Sequence, residues 1–134
     1  MTGPTDTAKE MVDTNVLVYA YDTDAGTKHD RAKRLLKELS EQSNLIFSTQ
    51  VLNEFYAVVT HPHRSSTLPH DEATQIVRDM AAAWDVVPLT SATTLRALDA
   101  IPQHGLSFWD ALIWAAAKEH GITVIHTEDF QVVA

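Results

Sequence analysis

Apolar and polar positions alternate along this chain in two rhythms. Short apolar runs rich in β-branched residues stand at 11–12 ("MV"), 44–48 ("NLIFS"), 85–89 ("DVVPL") and 122–127 ("ITVIHT"), and each predicts a buried strand. Between them lie longer stretches with the three-and-four spacing of amphipathic helices. In "KHDRAKRLLKELSEQ" the apolar stripe is Ala32, Leu35, Leu36 and Leu39. "TQVLNEFYAVVTH" and "DEATQIVRDMAAAW" predict two more helices, separated by a loop at Pro62 and "HRSSTLPH". "SATTLRALDAI" predicts a helix capped by its serine and ending before Pro102, and "SFWDALIWAAAKEHG" a helix from after Gly105 to Gly121. Asp13-Thr14-Asn15 is a strand-to-helix junction, because all three residue types cap helix N-termini well. Strands separated by helices predict an α/β fold, one α/β/α domain with a central parallel sheet of four or five strands flanked by helices.

That architecture directs attention to the carboxyl ends of the strands, where ligands of open α/β sheets bind. Asp13 ends the first strand, and Glu128 and Asp129 follow the last. Glu54 lies in a helix with almost no other charge, and Asp110 opens the late apolar helix. Three, four and seven residues beyond Asp110 stand Ile113, Trp114 and Ala117, a stripe that predicts a core-facing carboxylate. The two helical acids are expected to point inward and meet the strand-end acids in one crevice. Two carboxylates about 5 Å apart repel by roughly 3 kcal/mol at an effective dielectric near 20, so such a cluster must bind cations or take up protons. Hard oxygen donors without thiolates point to Mg²⁺ or Mn²⁺. Each acid also has a local role open to it: Ser107-Phe-Trp-Asp110 has the spacing of a capping box, Asp13 suits a cap, Glu54 an arginine pair and Asp129 an exposed turn.

Composition narrows the picture further. The 134 residues, 45% apolar and 21% charged, suit a single globular domain, with residues 1–9 read as a disordered extension and 10–134 as the domain. No run is long enough to span a membrane and "MTGPTDTAKE" carries no signal pattern. The absence of cysteine excludes disulfides, thiolate zinc sites and cysteine nucleophiles, and makes a cytoplasmic address the default. A net charge of −8 argues against nonspecific nucleic-acid coating. Half of the basic residues nevertheless lie in one helix: Lys28, Arg31, Lys33, Arg34 and Lys37. They form either a solvated face or a flank that tracks phosphates. His61 and His63, either side of Pro62, read as a surface turn, and Trp84, Trp109 and Trp114 as core or dimer-contact residues.

"VDTNVLVYAYD", "STQVLNEFYAVV", "LSFWDALIWAAA" and "VIHTEDF" together resemble, in order and spacing, the PIN-domain ribonucleases, and in particular the VapC-type toxins of toxin–antitoxin pairs. The resemblance runs from Met11 to Phe130. It implies that Asp13, Glu54, Asp110 and Asp129 surround one or two divalent cations, with Asn15 and Thr127 as supporting polar residues. Asp13 and Asp110 are the first choice as direct ligands. The compressed Thr127-Glu128-Asp129-Phe130 leaves Glu128 open as an alternative fourth acid, and relatives usually add a further strand or tail beyond the position of Ala134. The resemblance further implies an endoribonuclease leaving a 3′ hydroxyl and a 5′ phosphate, a cognate antitoxin partner and a homodimer; on that function the basic face of Lys28, Arg31 and Arg34 is the candidate RNA flank. Two other functions remain open: a catalytically silent PIN-like domain that binds RNA or protein, and an aspartate-nucleophile phosphotransferase. The latter requires an acid where Asp13-Thr-Asn15-Val16 has asparagine.

Overall fold

The structure, a computed structural model, describes residues 8–64, 66–127 and 131–133. The elements run β1 (Glu10–Val12), α1 (Thr14–Ala20), a 3-10 turn (Thr23–Ala25), α2 (Thr27–Glu41), β2 (Leu45–Ser48), α3 (Thr49–Val59) and α4 (His70–Ala83). They continue with β3 (Asp85–Val87), α5 (Ser91–His104), α6 (Phe108–Glu119), β4 (Val124–His126) and β5 (Gln131–Val133). The strands are ordered β3-β2-β1-β4-β5. β1 to β4 are mutually parallel, as predicted, whereas β5 pairs antiparallel with β4. A parallel return needs a crossover of a dozen residues or so, and the four residues between β4 and β5 allow only a reversal. The sheet changes direction of growth at β1, so the crevice of this topology opens beyond the carboxyl ends of β1 and β4.

β1 and β2 are enclosed on both faces, with Met11, Val12 and Phe47 entirely buried, which is why they read as unbroken apolar runs. Helices α1 and α3 bury Leu17, Val51, Phe55 and Val59 in the same core. A smaller cluster of Ala97, Ala111, Leu112 and Ala115 joins α5 to α6. Trp84 stands edge-on to Phe47, ring centroids 5.6 Å apart, and its indole N–H donates to Ser40 Oγ at 3.2 Å. Trp109, by contrast, is exposed.

Helix α5 departs from expectation at both ends. Its cap is Thr90 rather than Ser91: Thr90 and Thr93 satisfy each other's backbone N–H groups in a capping box. It also continues through Pro102 to His104, ending only where Gly105 takes the left-handed conformation at φ 64° and donates its N–H to the Ile101 carbonyl. Packing of Ala97 and Ile101 against α6 offsets the cost of an interior proline. Of the nine residues expected to form a disordered extension, the first seven lie outside the described residues, and Lys9 Nζ donates to the Ser43 carbonyl at 2.6 Å. Among the described residues no helix is long and apolar enough to cross a membrane.

Candidate active site

Asp13 occupies the junction at which β1 becomes α1. Its backbone N–H extends the sheet ladder onto the His126 carbonyl at 2.9 Å, and its Oδ1 accepts the Thr14 N–H at 2.7 Å as the helix cap. Backbone and side chain are thus pinned at the switch point of the sheet. Thr14, buried in the first turn, donates its hydroxyl to Glu54 Oε1 at 2.9 Å, and so links the end of β1 to α3. Gln50, one helical turn before Glu54, adds Nε2–H to the same Oε1 at 3.3 Å and also donates to the Trp109 carbonyl at 3.1 Å. Trp109 immediately precedes Asp110, whose own N–H is capped by Ser107 Oγ at 3.1 Å. A hydrogen-bonded path therefore runs from Asp13 through Thr14, Glu54 and Gln50 to the start of α6.

Burial pushes the Asp13 carboxyl above its ordinary value of 3.8; the Thr14 N–H pulls it back, and the negative charges of Asp110 and Glu54 push it up again. Three acids from distant parts of the chain thus share one electrostatic environment. Asp13 Oδ1 and Glu54 Oε1 are held by scaffold donors, while Oδ2 and Oε2 have no hydrogen bond among the described residues. Among the described residues no three His, Cys, Asp or Glu side chains by themselves form a group that could hold a metal. The acids at this edge offer carboxylate oxygens, with no thiolate in the chain, the donor chemistry that suits Mg²⁺ or Mn²⁺.

Asp110 corrects one expectation, since it is exposed rather than core-facing. Of the stripe beneath it, Ile113 and Ala117 are buried as predicted, at 5% and 0% exposure, and Trp114 is half-buried. The first turn of α6 projects past the core, however, leaving Phe108 and Trp109 exposed along with Asp110. Glu54 is half-buried. Asn15 is exposed on α1, and Thr127, directly after β4, is half-buried. Glu128 and Asp129 lie outside the described residues. Lys28 places its ammonium over the Tyr19 ring, 5.2 Å from the centroid, while Arg31 and Arg34 are exposed on the same helix. His61 and His63 form the expected surface turn, the His63 N–H donating to His61 Nδ1 at 3.2 Å.

Sequence reasoning passed over Thr14 and Gln50. A signal was present for each: Thr14 directly follows the strand-end acid, and Gln50 is a polar residue four positions before Glu54 on an otherwise apolar helix face. His126 was also passed over; its Nε2 lies 2.6 Å from Glu10 Oε1 and ties β4 to β1.

The fold and site together define a parallel α/β domain with acids gathered at the switch point of its sheet. The PIN-domain family model matches residues 11–133, and the chain belongs to that family. It is 31% identical over 119 residues to ribonuclease VapC23 of Mycobacterium tuberculosis, covering 88% of this chain and 90% of the relative. The crystal structure of VapC20 from Mycobacterium tuberculosis, a Sarcin-Ricin loop cleaving toxin, superposes with a TM-score of 0.71 at 22% identity over 90% of each chain. A toxin–antitoxin complex from Klebsiella pneumoniae gives 0.59 at 18% identity over 89% of this chain and 83% of that one.

Proposed function

We propose that this chain is a divalent-metal-dependent endoribonuclease, the toxin of a toxin–antitoxin pair, acting in the cytoplasm as a homodimer. The observation that carries the reading is the hydrogen-bonded path from Asp13 at the carboxyl end of β1 through Thr14, Glu54 and Gln50 to the helix turn that bears Asp110. Its support is the family membership, a relative that is a ribonuclease, and fold neighbours described as a toxin and a toxin–antitoxin complex. Asp13 and Asp110 would hold Mg²⁺ or Mn²⁺ directly; Glu54, with Asp129 or Glu128 as the fourth acid, would complete the set. The ion would activate a water and offset the charge that grows on the phosphate. The protein's own part is to hold two carboxylates by one oxygen each, leaving the other free, and to exclude water behind them with Met11, Val12 and Phe55. Asn15 and Thr127 flank the acids, and Lys28, Arg31 and Arg34 would follow the RNA backbone. A cognate antitoxin would mask the same edge.

The test is cleavage of bulk RNA by the purified chain with Mg²⁺ or Mn²⁺. EDTA is expected to stop it, and Asp13→Asn to reduce it to the EDTA level while the circular dichroism spectrum stays native. A folded Asp13→Asn protein cleaving at the wild-type rate would overturn the reading. Metal-dependent binding of RNA without cleavage would instead identify a silent member of the family.

A further inference from the structure

We propose that Gln50 is a positioning residue that fixes the Glu54 carboxylate against the start of α6 and so sets the geometry in which Glu54 and Asp110 receive a divalent cation. This rests on the metal-dependent reading above. Gln50 is only 7% exposed, and its Nε2 donates to two acceptors from separate helices: Glu54 Oε1 at 3.3 Å and the Trp109 carbonyl at 3.1 Å. Because both neighbours are oxygens that accept, only the amide nitrogen can face them, and the orientation of the side chain follows.

That orientation leaves Gln50 Oε1 buried with no hydrogen-bond partner. Buried acceptors are almost always satisfied, and an apolar side chain of similar size would fill this space without the penalty. Neither partner needs Gln50 for its own satisfaction. Glu54 Oε1 already accepts from Thr14, and a carbonyl in the first turn of a helix is taken by the N–H four residues on, here Ile113. Packing and hydrogen-bond accounting therefore call for leucine or methionine. What the amide adds is a rigid link, one turn from Glu54 and one residue from Asp110, across 59 positions of sequence.

The experiment compares the full-length wild type, Asp13→Asn, Gln50→Leu and Gln50→Glu by Mn²⁺ titration calorimetry, melting temperature in EDTA, and RNA cleavage as a function of pH. Gln50→Met, unbranched and of equal length, replaces the leucine variant if that one does not fold. Gln50→Leu is expected to bind Mn²⁺ about 10–100-fold more weakly, with a melting temperature in EDTA equal to or above wild type. Gln50→Glu sets a carboxyl against Glu54 and the Trp109 carbonyl, so the midpoint of Mn²⁺ binding is expected to move to higher pH. A purely structural glutamine predicts the opposite pattern: a lower melting temperature for Gln50→Leu, with Mn²⁺ affinity and pH midpoint unchanged. That pattern, with Asp13→Asn having lost Mn²⁺ binding, overturns the role of Gln50 alone. A wild type that neither binds Mn²⁺ nor cleaves RNA overturns the functional reading and this inference with it.

Discussion

Asp13 carries opposing demands in one side chain. As the cap of α1 it accepts the Thr14 N–H, which favours the charged form; burial and the nearby Asp110 and Glu54 charges disfavour it more. The folded protein therefore holds the Asp13 proton more tightly than the unfolded chain does. For a carboxyl raised in this way, the contribution to stability is fully present below 3.8 and is lost as pH rises through the folded-state value. Asparagine caps helices as well as aspartate does, so Asp13→Asn keeps the cap and removes the charge. In EDTA at pH 7 this variant is expected to melt higher than wild type, with the gap closing as the pH is lowered through the folded-state value of Asp13 and closed below 3.8. On the proposed function, Mn²⁺ reverses the order by stabilising only the wild type. Melting curves of both proteins across pH, with and without Mn²⁺, check this; a variant that melts lower than wild type in EDTA at neutral pH would contradict it.

At the scale of elements, α5 shows local propensity yielding to packing. Pro102 has no N–H to give the Leu98 carbonyl, and its ring crowds that carbonyl, yet the helix continues because a capping box starts it and Gly105 closes it. An interior proline costs about 3 kcal/mol relative to alanine, while alanine loses up to about 1 kcal/mol through the looser unfolded chain. Pro102→Ala is therefore expected to stabilise the protein by roughly 2 kcal/mol, read as an increased urea midpoint at unchanged slope. Thr90→Ala removes the other end's cap and is expected to cost about 0.5–2 kcal/mol in the same measurement. Helix identity was legible here in the sequence, but neither the stop nor the buried face was: Leu95 and Leu98 are exposed while Thr93, Ala97 and Ala100 are buried. A proline signals a boundary, and the packing of Ala97 and Ile101 against α6, with the caps at both ends, shows why this one is crossed.

Across the whole molecule, the net charge of −8 repels RNA, so any binding must come from a local concentration of positive charge. Helix α2 supplies it, packed along α1 with Arg31 and Arg34 exposed and Lys28 held over Tyr19. If Arg31 and Arg34 each neutralise a phosphate, Arg31→Ala/Arg34→Ala lowers RNA affinity and reduces the log–log salt slope by about two. Fluorescence anisotropy over a salt series measures this, and an unchanged slope would mark the basic face as merely solvated.

The main strand and helix identities and the placing of Asp13 at a strand end were set by the sequence itself, because each depends on residues within a few positions of one another, and the alternation of those elements implied the parallel sheet. Periodicity also identified the buried face of α6, but it names a direction around the helix and not a height along it. Asp110 is therefore exposed although Ile113 and Ala117 below it are buried. Only tertiary structure decided how far α6 projects beyond the sheet, which way β5 runs, and that Gln50 reaches Trp109. The reach of α6 and the Gln50–Trp109 contact turn on distances between segments far apart in the chain, whereas the reversal of β5 follows from its short link to β4 once β5 is known to join the sheet.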